Sequence, residues 1–447
     1  MLGAVTAIAL SLSFLFFYFV VYKKLSGGKR TISPLKLGLF ALFICYLTVI
    51  VGAVFLSRSD YIYRITYLQP LTLYREAWFT CTVVAWRNLV LNIAAFIPFG
   101  VLLPLLSEKF QKLWKTVGAG FMFSIAIESV QYLTGRGQAS ADDVINNTAG
   151  VLIGYGLAMA FLTIIGRTKI KPRRFFGYLT PLFATIFVFL VMFTVYQTQE
   201  FGNLSSGHYI KQNMTNVEIS YEVELSEDTP IMHIFHVESF SKAQSREFAE
   251  LFFERMGTAF KNERKPIIYD ASAYYYSNDG ILTVRYKGKT YVYTTFSSDS
   301  PADNSLTETQ VRSLLAEHGV DVPENAGFIN HGNGQYGFNT GTGSADQPVA
   351  GSLSCEILKD GTIKKIDNNL LERKYSVERN IISEKDAFKR IAEGKFHYGY
   401  AGEKLRSVKI VSVDLEYRLD SKGFYRPVYY FGAYINDNRY AISIPAL

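Results

Sequence analysis

The residue types best able to do chemistry sit close together in residues 128–154, ESVQYLTGRGQASADDVINNTAGVLIG. Glu128 is an acidic residue deep in an apolar run. A turn carrying Arg136, Asp142 and Asp143 follows, and a second apolar run opens with Asn146 and Asn147. Polar and ionisable groups at membrane depth are costly and usually functional. A carboxylate there can accept hydrogen bonds, hold a cation or exchange a proton. A guanidinium can hold a phosphate or carboxylate, and Arg136 is placed to pair with Glu128 or with an anionic head group. No histidine, cysteine or obvious nucleophile accompanies them, so binding rather than catalysis is expected, with no cofactor and no metal. Cys45, Cys81 and Cys355 form no CxxC or Cys/His cluster and read as free thiols.

Helical spacing must bring these groups together. Ser124, Glu128, Gln131 and Gly135 recur at four, three and four residues, which is one helix face. Glu128 lies ~18 Å along that helix from Thr116, toward its far end. Asp143, Asn147, Gly150 and Gly154 repeat the same spacing, and the last two form a GxxxG step suited to close helix approach. In the preceding run Asn88 and Asn92 lie one turn apart, and Pro98 is expected to kink that helix. Three helices then carry Asn88, Asn92, Glu128, Gln131, Arg136, Asp142, Asp143 and Asn147 at a common depth, and a shared polar ligand pocket near the outer leaflet is expected.

Composition agrees with a membrane setting. The chain has 447 residues, 49% hydrophobic and only 19% charged. Residues 1–196 carry 18 Lys/Arg against 6 Asp/Glu, whereas residues 197–447 carry 28 against 33, so the overall charge of +7 is a membrane-loop signal and not a nucleic-acid footprint. Six apolar runs, near 1–22, 35–56, 88–106, 116–134, 145–166 and 177–196, are long enough to cross a bilayer. Lys23, Lys24, Lys29, Arg30 and Lys36 fall in one inter-run loop, Lys109, Lys112 and Lys115 in the third, and Arg167 to Arg174 in the fifth. Basic loops face the cytoplasm, which puts the N-terminus, residues 57–87, 135–144 and everything after 197 outside. The expected architecture is a six-helix all-α membrane bundle over 1–196, a polar linker at 197–215, and a soluble extracytoplasmic α+β region at 216–375 and 376–447.

Residues 87–154 resemble the VanZ-like membrane proteins. An NxxxFxPFG pattern is met by Asn92, Phe96, Pro98, Phe99 and Gly100. An ExxQ, a GR turn, an acidic turn and an NTxG are met by Glu128, Gln131, Gly135, Arg136, Asp142, Asp143, Asn147, Thr148 and Gly150. Ala139 and Ser140 stand where the family turn often has a further Asp, so a role needing three carboxylates has no counterpart here. The resemblance implies a bacterial plasma-membrane protein of the cell envelope, linked through the family's founding member to teicoplanin-type glycopeptide resistance. The implied partner is a membrane lipid or lipid-linked cell-wall precursor. Two other readings stay open. One is an intramembrane enzyme using Glu128 as general acid/base and Asp142 or Asp143 on water or a divalent metal. The other is a sensor or scaffold engaging an envelope protein through residues 216–447.

In the outer region, strands are expected at 217–225 and 231–237, a helix at 242–260, a strand pair at 281–296 and a helix at 307–317. Residues 328–343, FINHGNGQYGFNTGTG, read as a Gly/Asn-rich surface loop containing His331. A capped helix at 383–396, followed by strands at 408–417, 426–434 and 440–444, resembles PepSY-type extracytoplasmic modules, which implies binding or inhibition.

Overall fold

The structure is a computed structural model describing residues 33–53, 66–135, 138–166, 171–207, 209, 211–261, 264–296, 300–341, 348–398 and 404–447. The expected first span, near 1–22, and Arg136 lie outside the described residues. The chain divides into two compact units: Met1–Ala77 with Val84–Gln199, and Trp78–Val83 with Glu200–Leu447.

The first unit is helical. Its elements are α1 (Pro34–Val51), a short strand β1 (Thr66–Tyr67), α2 (Thr72–Thr80), α3 (Val83–Leu106), α4 (Leu113–Thr134), β2 (Ala139–Ser140), α5 (Ala141–Ile164) and α6 (Pro172–Thr198). Of these, α1, α3, α5 and α6 are long and apolar enough to cross a membrane. The 22-residue α4 falls outside that group because its last turns carry Glu128, Gln131 and Tyr132. Each boundary has a local cause. Pro34 occupies the first turn of α1, where its missing N–H costs nothing, and Ser33 caps it. Gly135 takes the left-handed conformation that ends α4, at φ 68°. Ser140 caps α5 by accepting from Asp142 N. The helix α3 continues through both Pro98 and Pro104.

Packing centres on α3, α4 and α5. Phe96, Phe99 and Leu103 of α3 meet Ile127 of α4, Val151 of α5 and Ile50 of α1. The Phe99 and Phe123 rings stack 5.3 Å apart. The α3–α5 contact is a backbone-to-backbone seam. A Cβ at Gly150 would overlap the Ile93 carbonyl oxygen, one at Gly154 the Ile97 carbonyl oxygen, and one at Gly100 the Val151 carbonyl oxygen. The paired numbers rise together, so α3 and α5 run parallel. Gly120 of α4 likewise lies against the Val151 side chain.

The second unit is sheet-rich and has two cores. The first sheet has eight strands in the order β5-β6-β7-β8-β13-β12-β10-β9: β5 (Ile267–Ile268), β6 (Ser272–Tyr276), β7 (Gly280–Arg285), β8 (Tyr291–Thr295), β9 (Gly327–Gly332), β10 (Gln335–Asn339), β12 (Ser352–Ile357) and β13 (Ile363–Asn368). Its neighbours are antiparallel throughout. Helices α7 (Lys242–Arg255) and α8 (Glu308–Glu317) supply Phe252, Phe253, Val311 and Leu315 to the core beneath it, against Tyr275, Leu282, Tyr336 and Ile366. The second sheet has seven strands, ordered β11-β14-β4-β16-β15-β3 with β17 on β16: β3 (Glu218–Tyr221), β4 (Ile231–Val237), β11 (Val349–Ala350), β14 (Leu371–Asn380), β15 (Ser407–Leu419), β16 (Phe424–Ile435) and β17 (Asn438–Pro445). Helix α9 (Glu384–Ala392) closes its core through Ala387 and Ile391 against Phe431 and Ile442. This sheet takes β3, β4 and β11 from one side of the expected 375/376 division and β15 to β17 from the other.

The reading of 328–343 as a surface loop is corrected. Residues 327–339 form the β9–β10 hairpin, turned at Asn333 and Gly334 with φ of 50° and 70°. An Asn-Gly pair with both residues at positive φ is the preferred two-residue hairpin turn. His331 therefore sits on an edge strand. The expected linker also has structure. Gly202 N donates to Asp420 Oδ2 (2.7 Å), Asn203 N to Ser421 Oγ (2.8 Å), and Arg426 Nη1 to the Gly202 carbonyl (2.8 Å). Phe201 lies edge-on to Phe424, with the Arg426 guanidinium 4.9 Å from its ring centre.

Both α7 and α8 start with reciprocal capping boxes, Ser241 with Gln244 and Thr307 with Gln310. Ser241→Ala and Thr307→Ala should each cost about 1 kcal/mol. Chemical denaturation followed by far-UV circular dichroism reads that loss, and Thr307→Asp should restore most of the second.

Candidate functional site

The polar groups of α3, α4 and α5 meet at the N-terminal ends of α3 and α5 and the C-terminal end of α4. The α4–α5 contact is antiparallel, as Asn147 Nδ2 donates to Ser124 Oγ (2.9 Å) and Ser140 N to Glu128 Oε2 (2.9 Å). Across the parallel pair, Asn92 Nδ2 donates to Asp143 Oδ1 (2.5 Å). Asp142 turns away from this seam. Its Oδ1 accepts from Leu71 N (2.5 Å) and its Oδ2 from Leu73 N (2.7 Å). Those amides belong to the free N-terminus of α2, where a carboxylate is favoured both by the unpaired N–H groups and by the helix dipole. The parallel pairing of β1 with β2, Thr66 with Ala139 and Tyr67 with Ser140, holds the same segment.

Of the eight residues expected from spacing, Glu128, Gln131, Asp142 and Asn147 are buried, and Asn92 and Asp143 are half-buried. Asn88 lies exposed on α3 and does not join the group. The structure adds Tyr74, Ser124, Ser140 and Asn146. Asn146 is fully buried and accepts from Tyr74 OH at 2.5 Å. Burial first, and the Asp142 charge second, push the Tyr74 hydroxyl above its usual range, so it stays a donor. Spacing alone could have put Asn146 on an inward face. Tyr74 carries no signal short of the tertiary contact.

Two buried polar atoms here lack partners among the described residues, Gln131 Oε1 and Asn146 Nδ2. A groove of about 290 Å³ opens between α4 and α5, and neither Gln131 nor Asn146 lines it. Thr66, Leu68, Ile125, Tyr132 and Val144 make most of its wall, with Glu128 and Ser140 supplying polar edges. Of the described residues in the expected set, Glu128 is the one that borders it. No group of three His, Cys, Asp or Glu side chains suited to a metal ion occurs among the described residues.

An apolar helical unit with a polar end, joined to a separate sheet-rich unit, defines a membrane protein with an appended β-rich domain. Residues 37–163 match the VanZ/LLP1 family model, a stretch that takes in α3, α4, nearly all of α5 and the polar cluster. No curated protein matches the chain. Among solved structures, an uncharacterized protein from Eubacterium rectale ATCC 33656 is similar at 14% identity, over 51% of this chain and 86% of that one, with a TM-score of 0.22. The Bacillus megaterium YpeB C-terminal domain is similar at 13% identity, over 47% of this chain and 94% of that one, with a TM-score of 0.20.

Proposed function

We propose that this is a six-span protein of the bacterial plasma membrane, with its N-terminus and C-terminal domain outside, that binds a lipid-linked or amphiphilic envelope molecule in the groove beside Glu128. The observation carrying this reading is the groove itself, an apolar trough with a carboxylate edge. Leu68, Ile125, Tyr132 and Val144 suit an acyl or polyprenyl chain. Glu128 suits a hydroxyl or ammonium group, and Arg136 an anionic head group. Orientation is supported by Lys109, Lys112 and Lys115 around the start of α4 and by Lys171, Arg173 and Arg174 around the start of α6, the α4 group lying at the helix end opposite the polar cluster. If the molecule is a cell-wall precursor, altered susceptibility to glycopeptides of the teicoplanin type follows. Asp142 accepts from two backbone amides and Asp143 from Asn92, which supports a scaffold role for both.

The test is native mass spectrometry of delipidated protein offered undecaprenyl phosphate or phosphatidylglycerol. Wild type should retain one lipid, Val144→Trp should retain at least tenfold less, and Glu128→Gln, which keeps an acceptor for Ser140 N, should change the preference between the two. Equal retention by all three proteins would sink the reading.

A further inference from the structure

The sheet-rich unit contains a second, larger cavity of about 550 Å³, within the range of small-molecule sites. It lies where the two sheets of that unit approach each other. Three aromatic rings form a continuous floor. Phe240 and Phe248 are 5.3 Å apart between ring centres, and Phe248 and Tyr291 are 5.2 Å apart. Val320, Val322 and Pro323, from the segment after α8, make one wall, and Leu370 stands opposite. Phe240 and Phe248 are half-buried and Tyr291 is buried, so the first two rings supply most of the apolar surface open to a ligand.

The charged groups lining the cavity are Glu238, Asp321, Glu324, Glu372 and Lys289. They are not equivalent. Glu238 is already neutralised, by Lys289 at 2.6 Å and by Lys374. Those two ammonium groups hold its carboxyl down at about 2. Lys289 is further engaged, 5.5 Å from the centre of the Phe240 ring. Asp321, Glu324 and Glu372 are exposed at the rim and take part in no ion pair among the described residues. Arg255, which reaches the Gly319 carbonyl at 3.5 Å, is a further cation on the Asp321 side. Lys374 also lies in the field of Glu372. The rim therefore sets the carboxylates of Glu238, Asp321, Glu324 and Glu372 against the cations Lys289, Lys374 and Arg255, which leaves a net negative charge beside aromatic rings and attracts a cation by Coulomb and by cation–π interaction.

We propose that this cavity binds a small organic cation with an apolar body, of the chemistry of a short basic peptide with an aromatic side chain. The apolar body occupies the Phe240–Phe248–Tyr291 floor, and the ammonium or guanidinium groups reach Asp321, Glu324 and Glu372. The site is independent of the groove in the membrane unit.

The probe is N-acetyl Lys-Phe-Lys amide, titrated calorimetrically into the full-length protein in phosphatidylcholine nanodiscs, with N-acetyl Glu-Phe-Glu amide as the comparison. Expected are saturable one-to-one binding of the cationic peptide, no binding of the acidic one, and weakening in high salt. The exposed triple variant Asp321→Asn, Glu324→Gln, Glu372→Gln should bind at least tenfold more weakly. Val322→Trp, which fills the cavity, should abolish binding while the triple variant keeps its native circular dichroism. Absence of saturable binding, equal binding of both peptides, or unchanged affinity in the triple variant overturns the proposal.

Discussion

Gly150→Leu should prevent the membrane unit from reaching its folded state. The Cβ alone would overlap the Ile93 carbonyl oxygen, and Phe96 Cβ lies immediately behind it. Backbone cannot be pushed aside as a flexible side chain can, so α3 and α5 must separate along their shared length. Overpacking of this kind costs roughly 3 kcal/mol. Here separation also strains the Asn92–Asp143 bond at the top of the same seam. The measurement is thermal stability of detergent-solubilised protein by fluorescence-detected size exclusion. A large drop or loss of the monodisperse peak is expected for Gly150→Leu and Gly154→Leu. A Cβ at Gly38 on α1 meets nothing within 4 Å among the described residues, so Gly38→Leu should behave like wild type. Wild-type stability in Gly150→Leu would mean that the α3–α5 seam is looser than described.

The second large effect is expected from Asp142→Ala. Asp142 is only 1% exposed, and its two oxygens accept from two different backbone amides at the start of α2. Removing the carboxylate leaves two N–H groups without an acceptor, at roughly 3 kcal/mol for a pair of charge-assisted bonds. The loss is local. Residues 66–80 should exchange amide hydrogens faster and become sensitive to limited proteolysis, while the far ends of α3 and α5 stay protected. Asp142→Asn retains one acceptor and should fall between the two. If Asp142→Ala left protection of Leu71 and Leu73 unchanged, the carboxylate would not be what holds α2. Glu128 is not itself altered, but Thr66 and Leu68 of the groove wall lie in the loosened segment, so lipid retention should fall together with amide protection.

Helical arithmetic made one part of this site legible. The four-three-four spacing from Ser124 to Gly135 and from Asp143 to Gly154 places Glu128, Asn147, Gly150 and Gly154 on inward faces, and each is buried or packed there. Periodicity works because a helix converts sequence separation directly into direction. It says nothing of partners supplied by irregular segments. Leu71, Leu73 and Tyr74 come from a stretch that reads as an outer loop, and only the tertiary fold brings them to Asp142 and Asn146. Asn88 shows the converse limit. It shares a face with Asn92 by spacing, yet is exposed.

The sheet-rich unit divides the same way. The strand at residues 231–237 and the helices beginning near 242 and 307 were readable from pattern, and the one after Ser383 from its cap, although the first helix ends at Arg255 and not at 260. Sheet membership was not, since β4 pairs with β14 across more than a hundred residues of intervening chain. The β9–β10 hairpin did carry a local signal in Asn333 and Gly334. It was obscured by the surrounding glycines and asparagines, which also mark loops.

The parallel seam between α3 and α5 has a consequence for how the protein is made. Asn92 and its partner Asp143 are 51 residues apart in the chain. At ordinary synthesis rates of about 5–20 residues per second, α3 is produced roughly 3–10 s before that partner exists. During that interval its asparagine and its glycine-flattened face have no permanent neighbour. The helix must wait in a provisional lodging, against α1, the insertion machinery or the first turns of α4. Its final position is taken only when α5 arrives alongside. Assembly of this unit is therefore tied to the order of emergence, with the α3–α5 seam closing only after α5 has been made.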